Sequence, residues 1–430
     1  MVSPCPPQNW NDLFRSDRLC SYGVPFFSIY LNDLIAEHGT FSLEEAIPGI
    51  ASFALEKLLC SEKITGSLEI TDARALVLLG PTIGVPLHGQ SHLNVDLTAS
   101  HAAHCGYLDL TRESQHSFYP SQPIYALAAN DFLRKNESVL ICCIKSLSSV
   151  VSQGDVDKGE LGELTSRIIL LCAMNTAAAE VKNEEMKAAH RSNNPNTSPV
   201  ILTTFRSPVP VSKFLQTLTG RPANQLPLGK ISDDQKKNLL GGMMFWNHFL
   251  HCSSTPSLGS LMEGLERGLA IQCQHSQPAF NQILPIYLND ESTDKLKKEN
   301  LTFCGIQVKN REKDDTLATT QGTMTREKAN IETDPNNPYL ALHFSLRSKA
   351  PQEEVDNIQL RSSEPVKGTR QAFLVFHGLQ AFSFLSPELR AALGELLSIP
   401  TDLVSRHKEA ALGQKYVMDF LLRDEQTMKE

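Results

Sequence analysis

Apolar positions recur at three- and four-residue spacing through most of the first 190 residues, the pattern of helices with one buried face. Phe41 to Leu59 carries such a stripe, and Ser42 and Glu45 are placed as a capping box. Pro120 interrupts the chain, and Ser121-Gln122-Pro123 opens another helical stretch, Ile124 to Leu133, with its proline in the first turn. Val139 to Val150 is apolar and β-branched enough to suit a helix or a buried strand. The clearest helix runs from Asp157 to about Lys187. Asp157 is a fitting N-cap, and Glu160 completes a capping box. Leu161, Leu164, Ile168, Leu171 and Cys172 make one stripe, with Glu160, Glu163 and Arg167 on the opposite face. His190 to Ser198 reads as a loop.

Beyond it the pattern shortens. Val200 to Phe205, Phe280 to Leu288, Leu301 to Val308, Tyr339 to Leu346 and Gln371 to Leu379 read as strands, with helical patterns over Asp233 to Leu250 and Ser257 to Leu269. Residues 310–337 and 347–368 are polar and predict long surface excursions. Pro387 to Leu397 and Leu403 to Leu422 predict closing helices. The expected fold class is α+β: a helical domain over residues 1–150, an α/β core over 151–385 and C-terminal helices over 386–430.

Composition narrows the function classes. A net charge of −8 argues against a strongly cationic nucleic-acid binder, while leaving room for a local basic groove. The longest apolar candidate, Ala75 to Leu87, is broken by Gly80, Pro81, Gly84 and Pro86, so no membrane span is expected. The ten cysteines include no CxxC pair and read as reduced thiols of an intracellular protein. No GxxxxGK[ST] is present, so ATP is not an expected ligand. His88, His92, His101, His104 and Cys105 match no zinc spacing and read as scattered side chains, as do His248, His251 and Cys252. Phe245, Trp246 and Phe249 read as helix core. Ser121 and Ser253 lack a GxSxG setting.

Ile306-Gln307-Val308-Lys309-Asn310 is the sharpest local pattern. On a strand, Gln307 and Lys309 project to one side and Ile306 and Val308 to the other. A lysine ending a buried strand is costly to desolvate unless something pairs with it, although a strand running out into solvent would read the same way. Upstream stand Tyr119-Pro120-Ser121-Gln122-Pro123, then Asp157 to Leu164 (DKGELGEL), Arg267 to Cys273 (RGLAIQC) and Gln277 to Tyr287 (QPAFNQILPIY). In this order the blocks, spanning about Ser100 to Leu379, resemble a family expanded in mushroom-forming fungi. That family carries a nuclease-like domain of the PD-(D/E)XK type, similar to modules of Crinkler-like and transposon-associated proteins.

The resemblance implies an acid on a first helix, an aspartate on a strand and a (D/E/Q)-x-K on the next strand. Here these fall on Glu163, Asn281, and Gln307 with Lys309. Glu163, Asn281 and Gln307 would then be ligands of Mg²⁺, a hard cation that prefers charged oxygens, and Lys309 would orient the attacking water or offset phosphate charge. DNA or RNA would be the partner, and nuclear residence follows from the resemblance alone. Two of the three ligand positions, Asn281 and Gln307, are neutral, and Gln122 stands where the family has glutamate. Asp290 is near enough in sequence to be a substitute acid. Two readings therefore stand: Mg²⁺-dependent phosphodiester hydrolysis, or a catalytically silent module that keeps the fold for nucleic-acid or protein interaction. Taken without the resemblance, Glu163 and Arg167 at i,i+4 read as a surface ion pair. Gly162 within the helix suggests that another backbone passes close by.

Overall fold

A computed structural model describes residues 7–9, 12, 18, 26–38, 43–61, 69–85, 107–110, 115–119, 121–153, 158–191, 208–226, 228–229, 231–252, 254–274, 277–288, 295–312, 317–347, 358–359 and 370–399. The first half is helical as expected: α1 (Phe26–His38), α2 (Leu43–Leu59), α3 (Asp72–Ile83), α4 (Gln122–Lys135), α5 (Glu137–Gln153) and the 34-residue α6 (Lys158–Arg191). A hairpin of β1 (Tyr107–Leu110) and β2 (Gln115–Phe118) lies between α3 and α4. Thr71 caps α3 through its side chain, and Gly84, at φ 62°, ends it. The ambiguous run at Val139 is helix because α5 packs one face against α3 and the C-terminal helix. His190 and Arg191 belong to α6, not to the predicted loop. Ser42, Asp157, Val200 to Phe205, His88, His92, His101, His104, Cys105, Ser253, Asp290 and Leu403 to Leu422 lie outside the described residues.

Helix α6 passes by length and hydropathy as a membrane span over Gly159–Glu185, yet 67% of its most apolar window is buried inside the protein. It is the central helix of the larger core. Leu161, Leu164, Ile168 and Leu171 are buried as predicted, but so is Arg167 on the face read as polar, and Thr165 and Ser166 are buried with them.

The second half builds a nine-stranded sheet. Its elements are β3 (Val209–Pro210), α7 (Val211–Thr219), α8 (Asp233–Gly241), β4 (Met243–Met244), β5 (His248–His251), α9 (Leu258–Arg267), β6 (Leu269–Gln272), β7 (Gln282–Tyr287), β8 (Leu301–Lys309), α10 (Leu317–Thr323), α11 (Arg326–Ala329), β9 (Tyr339–Ser345), β10 (Ile358–Gln359), β11 (Gln371–His377) and α12 (Pro387–Leu397). The order is β10-β11-β9-β8-β7-β4-β3, with β6 also beside β7 and β5 beside β6. β7 runs antiparallel to β8, whereas β8, β9 and β11 are mutually parallel.

Three expectations are corrected. The helix predicted over Asp233 to Leu250 stops at Gly241, and the chain re-enters the sheet as β4 and β5. A Cβ at Gly242 would stand 3.0 Å from both Ile286 Cγ2 and Leu239 O, so the chain turns tightly there. Phe245, Trp246 and Phe249 are therefore buried on and beside a strand, not in a helix. Residues 310–337 are not a simple surface excursion. Parallel β8 and β9 need a crossover, and α10 and α11 lie within it, burying Met324, Ala329 and Ile331 against the sheet. β6, unrecognised in the sequence, starts directly after Gly268, whose φ of 65° ends α9.

The two sheet faces have separate cores. Cys304, Ile306 and Val308 of β8 share one cluster with α3–α6 and α12, and Leu301 and Phe303 share the other with α9 and α11. The larger cluster runs from Phe27 to Leu397, so the N-terminal helices and the sheet are continuous. Of the cysteines among the described residues, Cys143, Cys273 and Cys304 are buried as expected, whereas Cys60 and Cys142 are exposed.

A buried polar hub ties these layers. The side chain of Asn247 donates to Pro123 O at 3.0 Å and lies 2.6 Å from His248 Nδ1, while Asn130 donates to Asn247 O at 2.5 Å. Burial, with Arg267 nearby, pulls the His248 pKa down to about 3. The folded protein keeps this ring neutral, whereas the unfolded chain protonates it below the ordinary value of 6.5. Its contribution is complete above that value and fades as pH falls toward 3, by about 1.4 kcal/mol per pH unit. Replacing it in His248→Gln should flatten the acid limb of a urea-denaturation pH series by about that slope.

Gly305 is the tightest contact on β8. A Cβ there would sit 2.5 Å from two atoms of the Phe280 ring. Gly305→Ala should lower unfolding free energy by about 1–3 kcal/mol, read as a fall in urea midpoint at unchanged slope.

Candidate functional site

Helix α6 meets β8 at Gly162. A Cβ on this residue would lie 3.1 Å from Asn310 Cβ and 3.3 Å from Val308 Cγ1. The close approach that a mid-helix glycine suggested is therefore present, and it sets Glu163 beside the point where β7 and β8 part.

Asn281 occupies that point. It precedes β7, one residue beyond the pair Gln282 and Ile306, and its N–H donates to Ile306 O at 2.8 Å. Just upstream, Phe280 N–H donates to Pro278 O across Ala279, which takes a φ of 72°. This three-residue turn is a strained conformation for a residue with a Cβ. It carries the chain abruptly into Asn281.

The side chains form a closed network. Glu163 Oε1 accepts from Asn281 Nδ2 at 2.6 Å, and Oε2 accepts from Gln272 Nε2 at 2.7 Å. Asn281 Oδ1 accepts from Val308 N–H at 2.8 Å. Interchanging the oxygen and nitrogen of Asn281 would set N–H against N–H at Val308 and a carbonyl against the carboxylate, so the network fixes the amide's orientation. Gln272 Nε2 also reaches Asn281 O at 3.1 Å. Gln282 Nε2 donates to Ser166 Oγ at 2.6 Å and to Glu163 O at 3.1 Å.

Arg167 is buried, with 5% exposure, which overturns its reading as half of a surface ion pair. Its guanidinium donates to Ile83 O and Gly84 O, the unpaired carbonyl end of α3, and its Nε donates to Glu163 O at 3.3 Å. Burial lowers its pKa to about 10, partly offset by Glu163 and Glu160, so it stays charged at neutral pH. Gln122, which had no assigned role, donates to Pro81 O and Phe249 O and joins α3 to β5.

Of the four predicted residues, Glu163 and Asn281 touch directly, and Asn281 holds the backbone between Gln307 and Lys309. Gln307 and Lys309 are half-buried. Their strand positions share the face of Phe303, opposite the Val308 side chain that packs on Gly162. Sequence reasoning missed Gln272, Gln282 and Ser166. The signal was present: Gln272 and Gln282 are amides inside apolar strand runs, Leu-Ala-Ile-Gln-Cys and Phe-Asn-Gln-Ile-Leu, where burial demands a partner. Among the described residues no three His, Cys, Asp or Glu side chains gather to hold a metal ion.

A family model described as a domain of unknown function (DUF8736) matches residues 69–207. That stretch contains α3 to α6, and with them Glu163 and Arg167, but none of β7 or β8. No curated protein and no solved structure matches the chain.

The two amide donors need both oxygens of Glu163. Glu163→Gln supplies one acceptor in place of two and sets an N–H against a donor. It should lower stability by about 1–3 kcal/mol in equilibrium urea unfolding.

Proposed function

We propose that this chain is a nuclease-fold module of the PD-(D/E)XK type that no longer hydrolyses phosphodiesters and engages nucleic acid without cutting it. The order of parts supports the fold. An acid on a first helix, a residue at the head of one strand and an x-K on the next strand are the positions of Glu163, Asn281 and Gln307 to Lys309. One of these strands, β8, continues through a helical crossover into a parallel neighbour.

The observation that carries the loss of hydrolysis is the orientation of Asn281. Mg²⁺ needs several oxygen ligands around it, usually charged ones. Both carboxylate oxygens of Glu163 instead receive amide N–H groups, and the one oxygen of Asn281 receives Val308 N–H. These residues do not fit a divalent cation. An aspartate at 281 could keep one oxygen on Val308 N–H and turn the other toward Glu163. Two carboxylates would then face each other, an arrangement that a divalent ion relieves and an amide makes unnecessary.

Calorimetric titration with Mn²⁺ should show no site at Glu163 in the wild type and a new site in Asn281→Asp that vanishes in the double variant with Glu163→Ala. Wild-type protein incubated with single- and double-stranded DNA and RNA in Mg²⁺ or Mn²⁺ should leave them intact. It should still shift the anisotropy of labelled strands, more weakly as salt rises. Cleavage abolished by Lys309→Ala would reinstate hydrolysis, and an absence of any anisotropy change at low salt would remove nucleic acid as the partner.

A further inference from the structure

Helices α3, α4, α5 and α6 turn one side each toward a common space, which the start of α12 closes. On α6, Ile168, Leu171, Cys172, Asn175 and Thr176 line it, spaced i, i+3, i+4, i+7 and i+8, the stripe of a core-facing helix. Leu79 and Ile83 of α3, Leu133 of α4, Leu140 of α5 and Phe384 ahead of α12 make an apolar wall. The cavity has a volume of about 120 Å³. An apolar cavity of roughly 150 Å³ accepts benzene, so this space suits a molecule built on one ring.

The α6 stripe changes chemistry along the cavity. Ile168 and Leu171 belong to the larger core, whereas Asn175 and Thr176 put an amide and a hydroxyl on the same side of the helix. Neither of these two side chains makes a hydrogen bond among the described residues. Asn130, 8% exposed, also lines the cavity; it donates to Asn247 O and leaves its own carbonyl oxygen without a donor among the described residues. The other amides of this core are spent differently, for Gln122, Asn247 and Gln272 all give their N–H groups to protein oxygens. Leaving such groups unmade beside an apolar wall is costly in a fold that only needs packing.

The cavity is also neutral within. Its buried and half-buried lining residues carry no charge, and burial, with Glu137 nearby, pushes the Cys172 thiol up to about 12, so it stays protonated. Of the two exposed ions at the edge, Arg134 is held by Asp131 at 3.1 Å, and Glu137 would repel an anion. Space, wall and polar groups together describe one class of occupant: apolar over most of its surface, uncharged, and able both to donate and to accept one hydrogen bond.

We propose that this cavity binds a small neutral molecule of the phenol class, with a ring-sized apolar body and one hydroxyl group. The apolar wall takes the ring, Asn130 accepts from the hydroxyl, and Asn175 donates to its oxygen. The site lies further along α6 than Glu163 and stands or falls independently of the nuclease reading.

The full chain would be titrated with phenol, benzene and benzoate, followed by the thermal unfolding midpoint and by the side-chain amide proton signals of Asn130 and Asn175. The expected result is saturable phenol binding that raises the midpoint with concentration and moves both amide signals, with benzene weaker and benzoate weaker by about tenfold or more. Asn175→Leu should weaken phenol about tenfold and leave benzene unchanged. Cys172→Leu fills the cavity and should abolish binding of both, with a midpoint at or above that of the wild type. Thr176→Leu fills it from the next position on the same stripe and decides the matter should Cys172→Leu fail to fold. Absence of saturable phenol binding, equal binding of benzoate, or binding unchanged in a folded cavity-filling variant would overturn the proposal.

Discussion

A close approach of helix to sheet, at Gly162 against Val308 and Asn310, governs the site. A methyl group there would require helix or strand to give by a few tenths of an ångström. Glu163 is the next residue, and its two amide bonds are 2.6 and 2.7 Å long, with little slack. Gly162 costs about 1 kcal/mol of helix propensity against alanine, and this expense is intelligible only if the approach matters. Arg167, one turn on, extends the same logic to the N-terminal helices. Its guanidinium takes up the carbonyl end of α3, where a buried helix terminus would otherwise lack donors. A single helix thus fixes a carboxylate against the sheet on one side and an entire helical layer on the other.

Within that frame the neutral residues are a coherent set. Gln272, Asn281 and Gln282 each present N–H groups to oxygens of α6: both carboxylate oxygens of Glu163, its backbone carbonyl and the Ser166 hydroxyl. A cation would satisfy a buried carboxylate by charge; amides satisfy it by hydrogen bonds alone. The two solutions exclude each other at Asn281, because its only side-chain oxygen is committed to Val308 N–H. A neutral amide at this position therefore gives the site an organisation of its own, different from that of a cation site and not a weaker version of it.

Much of the architecture was legible in the sequence because the physical signals were local. The apolar stripe of α6, the proline at the start of α4 and the runs at Ile283, Phe303, Leu340 and Leu374 each declare one element. The α8–β4–β5 region was misread because residues 233–250 carry apolar side chains at spacings that suit either period, and a Gly-Gly pair decides the break. The crossover was misread because its polar composition hides Met324, Ala329 and Ile331, which are spaced too far apart to form a stripe. The resemblance set Glu163 and Asn281 around one cation together with Gln307 and Lys309; the structure instead joins Glu163 and Asn281 by a direct hydrogen bond. Which atom of an amide faces a carboxylate is decided by a backbone N–H on a third element, β8, and no spacing rule encodes that.

Side chains alternate along β8, so the strand presents two faces with different surroundings. Val308 packs on Gly162 and gives its N–H to Asn281, while Gln307 and Lys309 project to the face of Phe303. The amide network and the x-K positions therefore meet through the backbone of one strand. Because of that alternation, a substitution at Gln307 or Lys309 leaves the geometry around Glu163 nearly untouched, and the two halves of the resemblance can be tested separately.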